Sequence, residues 1–561
     1  MSRVGPTLAD EYGLEFRNFK KSEPIYRTNV ITEFCNLMQE IVSINFGKIK
    51  KLGWGKNSDL SKYFRMLPSG SELRKKFLEK TNLDSLIDKL VLGSVDVNVM
   101  SKLNVNNTTS EDSTYNEAIA AINGYAKSNL NTNLVLSAGA DPGIASYLGR
   151  ATDLDGNNPF IPNEQGIAKK GLILKVTDYR SSRLQAGRIL AKQGLVVKEF
   201  RIESGLAAGG HLFPTQGKLL GPILEEFKEN KNNLNYVKEV NKAREKQGLA
   251  LIEVDLKPNI TYQGSVSTYE ELELLEQYYG VGVGIGTPFL TVDELGFSDK
   301  DLLEYMIEST NEDVVVGNCS PITTYMNLRF TSSEFSKFDN IDLGTPGANC
   351  RLGHAKIKKL DDGRDVCAAS KIYQKQQLKK LDKLDLNQEQ YEFIFNKVVD
   401  CACICDHLTH SLYKLKGIET NFDLTPTVCP GPNLAEFDKN STFEEMINHF
   451  YGRKAINNPE LHENMFVREL SLYLDLLENQ VYEFNLGFEE EVKDTFNLTK
   501  RLNQKHFLKF KENLNEGINY YLDTLADEMS SSQKVDFKSD ILEQANRLNQ
   551  IMSDNYELFN N

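Results

Sequence analysis

The sequence predicts an α/β chain: a (β/α)8 barrel carrying a mostly helical C-terminal extension. Three observations lead there. Six short apolar runs between residues 95 and 285 alternate with helical stretches, and strands separated by helices form right-handed βαβ units and a parallel sheet. Several of these runs end in Gly, Ser, Thr or Asp, which suits a ligand face at the strand C-termini. From residue 370 onward the pattern changes to charged, amphipathic helix. Six strands, with one or two more before residue 95, complete a barrel of eight; an open doubly wound sheet is the alternative.

Taken in order, Thr28 to Ile44 puts Val30, Ile31, Phe34, Leu37, Met38 and Ile41 at helical spacing and reads as a helix. Gly47 to Gly55 reads as a short strand ending in a Gly turn, and Ser71 to Leu92 as one or two further helices. Strands follow at Val95–Met100, Leu134–Ser137, Gly171–Val176 and Val196–Ile202. The fifth falls at Ala250–Val254 or at Ile260–Tyr262, and the sixth at Gly282–Ile285. Between them lie helices at Ser113–Asn129, Ser181–Gln193, Lys218–Gln247 and Thr268–Tyr279. Leu470–Phe484, His506–Met529 and Asp536–Phe559 have amphipathic spacing. The chain then divides into a barrel over 1–335, a Cys-containing extension over 336–440 and a helical C-terminal region over 441–561. That last region reads as a layer packed on the barrel or on a second copy in a homo-oligomer.

Composition narrows the function. The 561 residues include 79 acids against 65 bases, a net charge of −14, the opposite of what a nucleic-acid partner selects. No unbroken apolar run approaches the ~18 residues of a membrane span. The first residues lack the charged-then-apolar pattern of a secretory signal. A cytoplasmic chain handling a small molecule is expected. In that compartment the eight Cys stay reduced.

Two features carry chemistry. In the first, the strand ending at Ile202 runs through Glu203-Ser204-Gly205-Leu206-Ala207-Ala208 into Gly209-Gly210-His211. Small residues let a planar ring or a phosphate approach the backbone. Imidazole titrates near neutrality, so His211 is suited to move a proton; a loop His with a structural hydrogen bond is the alternative. In the second, Tyr262-Gln263-Gly264-Ser265 closes one strand, and Gly282-Val283-Gly284-Ile285-Gly286-Thr287-Pro288 closes the next. Two consecutive Gly-rich turns gather backbone N–H groups at the corner where barrels hold phosphate.

This order of motifs resembles the nitronate monooxygenase (2-nitropropane dioxygenase) family of FMN-dependent TIM barrels. The matching segments are Leu172 to Asp178, Ser204 to His211, Gln263-Gly264-Ser265 and Gly286-Thr287-Pro288-Phe289-Leu290 with Asp293-Glu294. Val97-Asn98-Val99 and Ser137 to Pro142 match more loosely. The resemblance implies an FMN-dependent oxidoreductase acting on a small organic substrate. Gly264, Ser265, Gly286 and Thr287 would hold the phosphate, and Asn98 and Lys175 would lie near the isoalloxazine. Gly209 and Gly210 would permit close approach, and His211 would be the acid/base group. For Lys175 the alternative is a strand-end ammonium paired with a carboxylate; for Asn98 it is a turn-capping amide. Similar barrels include FMN-type enoyl-acyl carrier protein reductases, which use NAD(P)H in place of oxygen. A non-redox barrel binding a phosphorylated metabolite, and an assembly protein working through its helical tail, are the other readings.

The remaining motif is Cys401-Ala402-Cys403-Ile404-Cys405, followed by Cys429. On a strand the three alternating thiols would share a face. With Cys429 they are candidate ligands for zinc or an iron–sulfur cluster, against the plainer reading of buried structural thiols.

Overall fold

All six expected strands between 95 and 285 join one parallel sheet, in chain order: β1 (Val97–Val99), β2 (Asn133–Leu136), β3 (Gly171–Val176), β4 (Glu199–Glu203), β5 (Asn259–Gln263) and β6 (Gly282–Gly284). Of the two places offered for the fifth strand, Ile260–Tyr262 is the one used. The computed structural model describes residues 1–99, 117–136, 142–207, 216–317, 325–349, 356, 358–496, 498–499 and 502–560.

The expected closed barrel of eight strands is not formed. Among the described residues β1 and β6 are the sheet's edges and do not pair with each other. The next two strands, β7 (Val314–Gly317) and β8 (Tyr325–Leu328), pair antiparallel with one another in a separate sheet. The reason is chain length. Only residues 318–324 join them, and a parallel crossover needs roughly a dozen residues or more. At the other end, the strand expected at Gly47–Gly55 is absent, because the helix Tyr26–Lys50 runs through its first half. Phe46 and Ile49, three residues apart on that helix, pack with Trp54 against Leu60 and Phe64. Among the described residues no strand precedes β1. The result is an open sheet, wound in one direction rather than doubly wound, and curled like part of a barrel.

Winding in one direction puts the crossover helices on one face of the sheet. That face is apolar. Leu134 and Leu136 of β2, Leu172, Leu174 and Val176 of β3, Phe200 and Ile202 of β4, and Ile260 and Tyr262 of β5 are buried in one core with Leu220, Leu224 and Phe227 of the helix Leu220–Glu229. The same core continues into the C-terminal helices Met465–Asn485, Gln504–Asp523 and Ser531–Asp554 through Phe466, Leu470, Phe510, Leu514, Tyr521 and Phe537. The helical tail is therefore a second layer over the helices of the sheet. Gly221 allows the close contact: a Cβ there would lie 2.3 Å from the Tyr521 ring. The Gly221 N–H donates to the Tyr521 hydroxyl at 3.2 Å.

Glu469 sits at this seam. It is 1% exposed and accepts the first N–H of the helix at Leu220, at 2.7 Å. Burial pushes its pKa up to about 8, against the pull of the Leu220 and Tyr521 hydrogen bonds. Among the described residues no helix is long and apolar enough to cross a membrane.

Candidate functional site

The second face of the sheet is polar. In β4, Glu199-Phe200-Arg201-Ile202-Glu203 alternates charged and apolar residues, and successive strand residues point to opposite faces. Register places Arg201 beside Lys175 and Thr261, and Glu203 beside Gln263. Lys175 forms an ion pair with Glu203 at 2.5 Å, and Arg201 one with Glu199 at 2.8 Å. The Thr261 hydroxyl donates to Glu199 at 2.7 Å. All four charged side chains are only 12–17% exposed, so the pairs lie in a shielded, low-dielectric setting. Asn98 falls on the same face two strands away, since it aligns with Val135, and Val135 with Ile173, two residues before Lys175. Asn98 is exposed. The structure thus brings Asn98 and Lys175 to one face, and it pairs Lys175 with a carboxylate.

The two Gly-rich turns lie side by side, because Gln263 and Gly284, which lead into them, are partners across β5 and β6. Among the described residues, the backbone N–H groups of Gly264, Ser265, Gly286 and Thr287 make no hydrogen bond. The side chains are more committed. The Ser265 hydroxyl donates to the Leu206 carbonyl at 3.2 Å. The Thr287 hydroxyl oxygen accepts the Gly431 N–H at 2.7 Å, which leaves its own hydrogen free to donate. Four N–H donors and one hydroxyl, with no carboxylate among them, fit a phosphate monoester.

The helix following β5 is not the anion site its N-terminus suggests. Thr268 caps it, and Glu271 completes a capping box. The Glu271 carboxylate accepts the N–H groups of Ser267 at 2.7 Å and Thr268 at 3.2 Å, and also that of Met465 at 2.8 Å. Burial is the main cause of its raised pKa. The acid that a helix N-terminus attracts is thus supplied by the chain. His449 braces the same turn, its Nε2–H donating to the Ser267 carbonyl at 2.7 Å; burial lowers its pKa.

A segment of the extension closes the corner. Cys429, Pro430, Gly431 and Asn433 are buried. The Asn433 amide donates to the Ser267 hydroxyl at 3.0 Å. Gly431 is pressed so close that a Cβ would lie 2.8 Å from the Thr287 hydroxyl and 3.2 Å from the Leu206 carbonyl. Sequence reasoning missed Glu203, Arg201, Glu271, Gly431 and Asn433. The charged alternation of β4 and the Thr268-x-x-Glu271 spacing were the available signals for the first three.

Gly209, Gly210 and His211 lie outside the described residues, as do Cys319 and Cys350. Cys401, Cys403 and Cys429 pack with Cys367, Ala369 and Tyr373 in a small apolar cluster, and Cys405 is half-buried. Residues 401–405 form no strand, so the shared strand face expected for three thiols does not arise. Among the described residues no group of three or more His, Cys, Asp or Glu is arranged to hold a metal ion.

No family model matches the chain, and no curated protein does. Among solved structures it is similar to the crystal structure of the enoyl reductase domain of MlnA from the macrolactin biosynthesis cluster of Bacillus amyloliquefaciens. The two share 13% identity at a TM-score of 0.33, over 73% of this chain and 88% of that one. A score that low does not establish a common fold.

Proposed function

We propose that the chain is an FMN-dependent oxidoreductase whose small organic substrate lies against the polar face of the sheet. The observation that carries this reading is the set of four unpartnered N–H groups at Gly264, Ser265, Gly286 and Thr287, beside a charged strip at the strand C-termini. Open parallel sheets bind ligands outside the carboxyl ends of their strands. A flavin, rather than another phosphate ester, is what the resemblance of the motifs from Ser204 to Thr287 to the nitronate monooxygenase family implies.

FMN supplies hydride or single-electron exchange when bound. The chain's own residues do the rest. The four N–H groups and the Thr287 hydroxyl hold the phosphate oxygens. Asn98 and Lys175 lie on the face where the ring would rest; Glu203 already neutralises Lys175, so Asn98 is the group that would offset negative charge there. His211 exchanges the proton with substrate.

Purified protein is expected to be yellow, with absorbance near ~450 nm and FMN released on denaturation. His211→Ala should keep the flavin and lose turnover. Anaerobic bleaching by NADPH or NADH would assign a reductase. Colourless protein that binds a sugar phosphate but takes up no FMN would replace this reading with a non-redox phosphate-binding one.

A further inference from the structure

A cavity of about 590 Å³ lies between the antiparallel pair β9 (Lys358–Lys359) and β10 (Asp365–Val366), the helix Lys371–Leu381 and the helix Glu490–Phe496. None of its lining residues belongs to the six-stranded sheet or to the Gly-rich turns. Four of them are lysines. Two are neutralised, Lys359 by Asp365 at 2.9 Å and Lys380 by Asp361 at 2.6 Å. Lys358 and Lys383 have no carboxylate within ion-pair distance among the described residues. Lys358 is also half-buried, and burial is the main cause of its lowered pKa. A partly desolvated ammonium without a counter-charge is unfavourable unless something completes it.

A second observation points the same way. Gln377, which lines the cavity, is 4% exposed, and its carboxamide oxygen has no hydrogen-bond partner among the described residues. Buried amides are nearly always paired, so one left open calls for a ligand group. The O and N of a Gln are interchangeable in placement, so the same amide can offer an N–H to an anion.

We propose that this cavity binds a phosphorylated small molecule, with Lys358 and Lys383 on the phosphate oxygens and Gln377 as the third contact. Two compact ammonium charges with no arginine beside them suit a phosphate rather than the planar fork of a carboxylate. The volume exceeds what a phosphate group fills, leaving room for an organic body. Glu491 and Asp494 on the opposite wall suit hydroxyl or amine donors on that body.

The test is calorimetric titration of the full chain, without added flavin, with inorganic pyrophosphate, the lysine variants marking the heat that comes from this cavity rather than from the Gly-rich turns. Wild type should bind, Lys358→Met should weaken binding by about tenfold or more, as expected for losing a half-buried charge, and Lys383→Met, at an exposed lysine, should weaken it by about threefold. Lys509→Met, at an exposed lysine elsewhere, should change nothing. Gln377→Leu removes an unpaired buried amide, so it should raise the melting temperature of the unliganded protein while weakening pyrophosphate. The proposal is overturned if pyrophosphate does not bind, or if either lysine variant binds it as tightly as wild type. It is also overturned if citrate binds as tightly as pyrophosphate, or if Gln377→Leu lowers the melting temperature and leaves binding intact. Because these variants lie outside the Gly-rich turns, failure here leaves the flavin reading standing, and the reverse holds too.

Discussion

Gly431→Ala is expected to weaken FMN binding by tenfold or more and to cost about 1–3 kcal/mol of stability, the usual penalty for overpacking a filled site. The added carbon would meet the Thr287 hydroxyl at 2.8 Å, the Asn433 amide oxygen at 3.1 Å and the Leu206 carbonyl at 3.2 Å. None of these yields easily. Thr287 is 4% exposed and β-branched, so its χ1 is stiff. Its hydroxyl holds the Gly431 N–H, and the Leu206 carbonyl holds the Ser265 hydroxyl. Displacing either moves a turn that presents the N–H groups proposed to bind phosphate. Thr287→Val separates the two effects: it keeps the shape but strands the buried Gly431 N–H, for about 1–3 kcal/mol. Urea unfolding and FMN titration of both variants check this. Wild-type stability and wild-type FMN affinity in Gly431→Ala would show that the segment does not brace the turns.

Glu469→Gln should stabilise the protein at pH 8 and leave it nearly unchanged near pH 4.5. An exposed glutamate in the unfolded chain ionises near 4.5, whereas the folded chain keeps the Glu469 proton up to about 8. Between those values the folded state binds one more proton than the unfolded state, so stability falls as pH rises, by roughly 1.4 kcal/mol per pH unit for this group. Above about 8 the penalty is constant, and below 4.5 it vanishes. Glutamine cannot ionise but still offers an oxygen to the Leu220 N–H. Its advantage should therefore grow across the window and reach a few kcal/mol at the top. A gap between wild type and variant that does not change with pH, followed by thermal unfolding from pH 5 to 8, would contradict the buried, protonated state.

The strands were legible because their apolar alternation is local. Gly171–Val176 and Gly282–Val283-Gly284 carry both the run and its turn within a few residues. Closure was not legible in the same way. Val314–Gly317 and Tyr325–Leu328 are apolar enough for barrel strands, and their pairing is decided by the short connection between them. Gly47–Gly55 misled because a short run bounded by glycines does not by itself separate a strand from a helix end, whereas Phe46 and Ile49, three apart, hold the helical spacing. At the site, the two turns could be found from their glycines, and the resemblance assigns Gly264, Ser265, Gly286 and Thr287 within them. Gly431 and Asn433 could not, because they reach the turns from more than 140 residues away. Nothing near Gly431 in sequence marks it as a partner of Thr287. Glu203 was within reach: it ends a strand of alternating charge, one residue past the aligned partner of Val176.

The two Gly-rich turns are proposed to hold a phosphate through backbone N–H groups. The most direct measurement is parallel titration of the flavin-free full chain with FMN and with riboflavin, which lacks only the phosphate, followed by flavin fluorescence. FMN should bind about a hundredfold tighter or more, the worth of two or more charge-assisted hydrogen bonds. Equal affinities, or no binding of FMN, would contradict it.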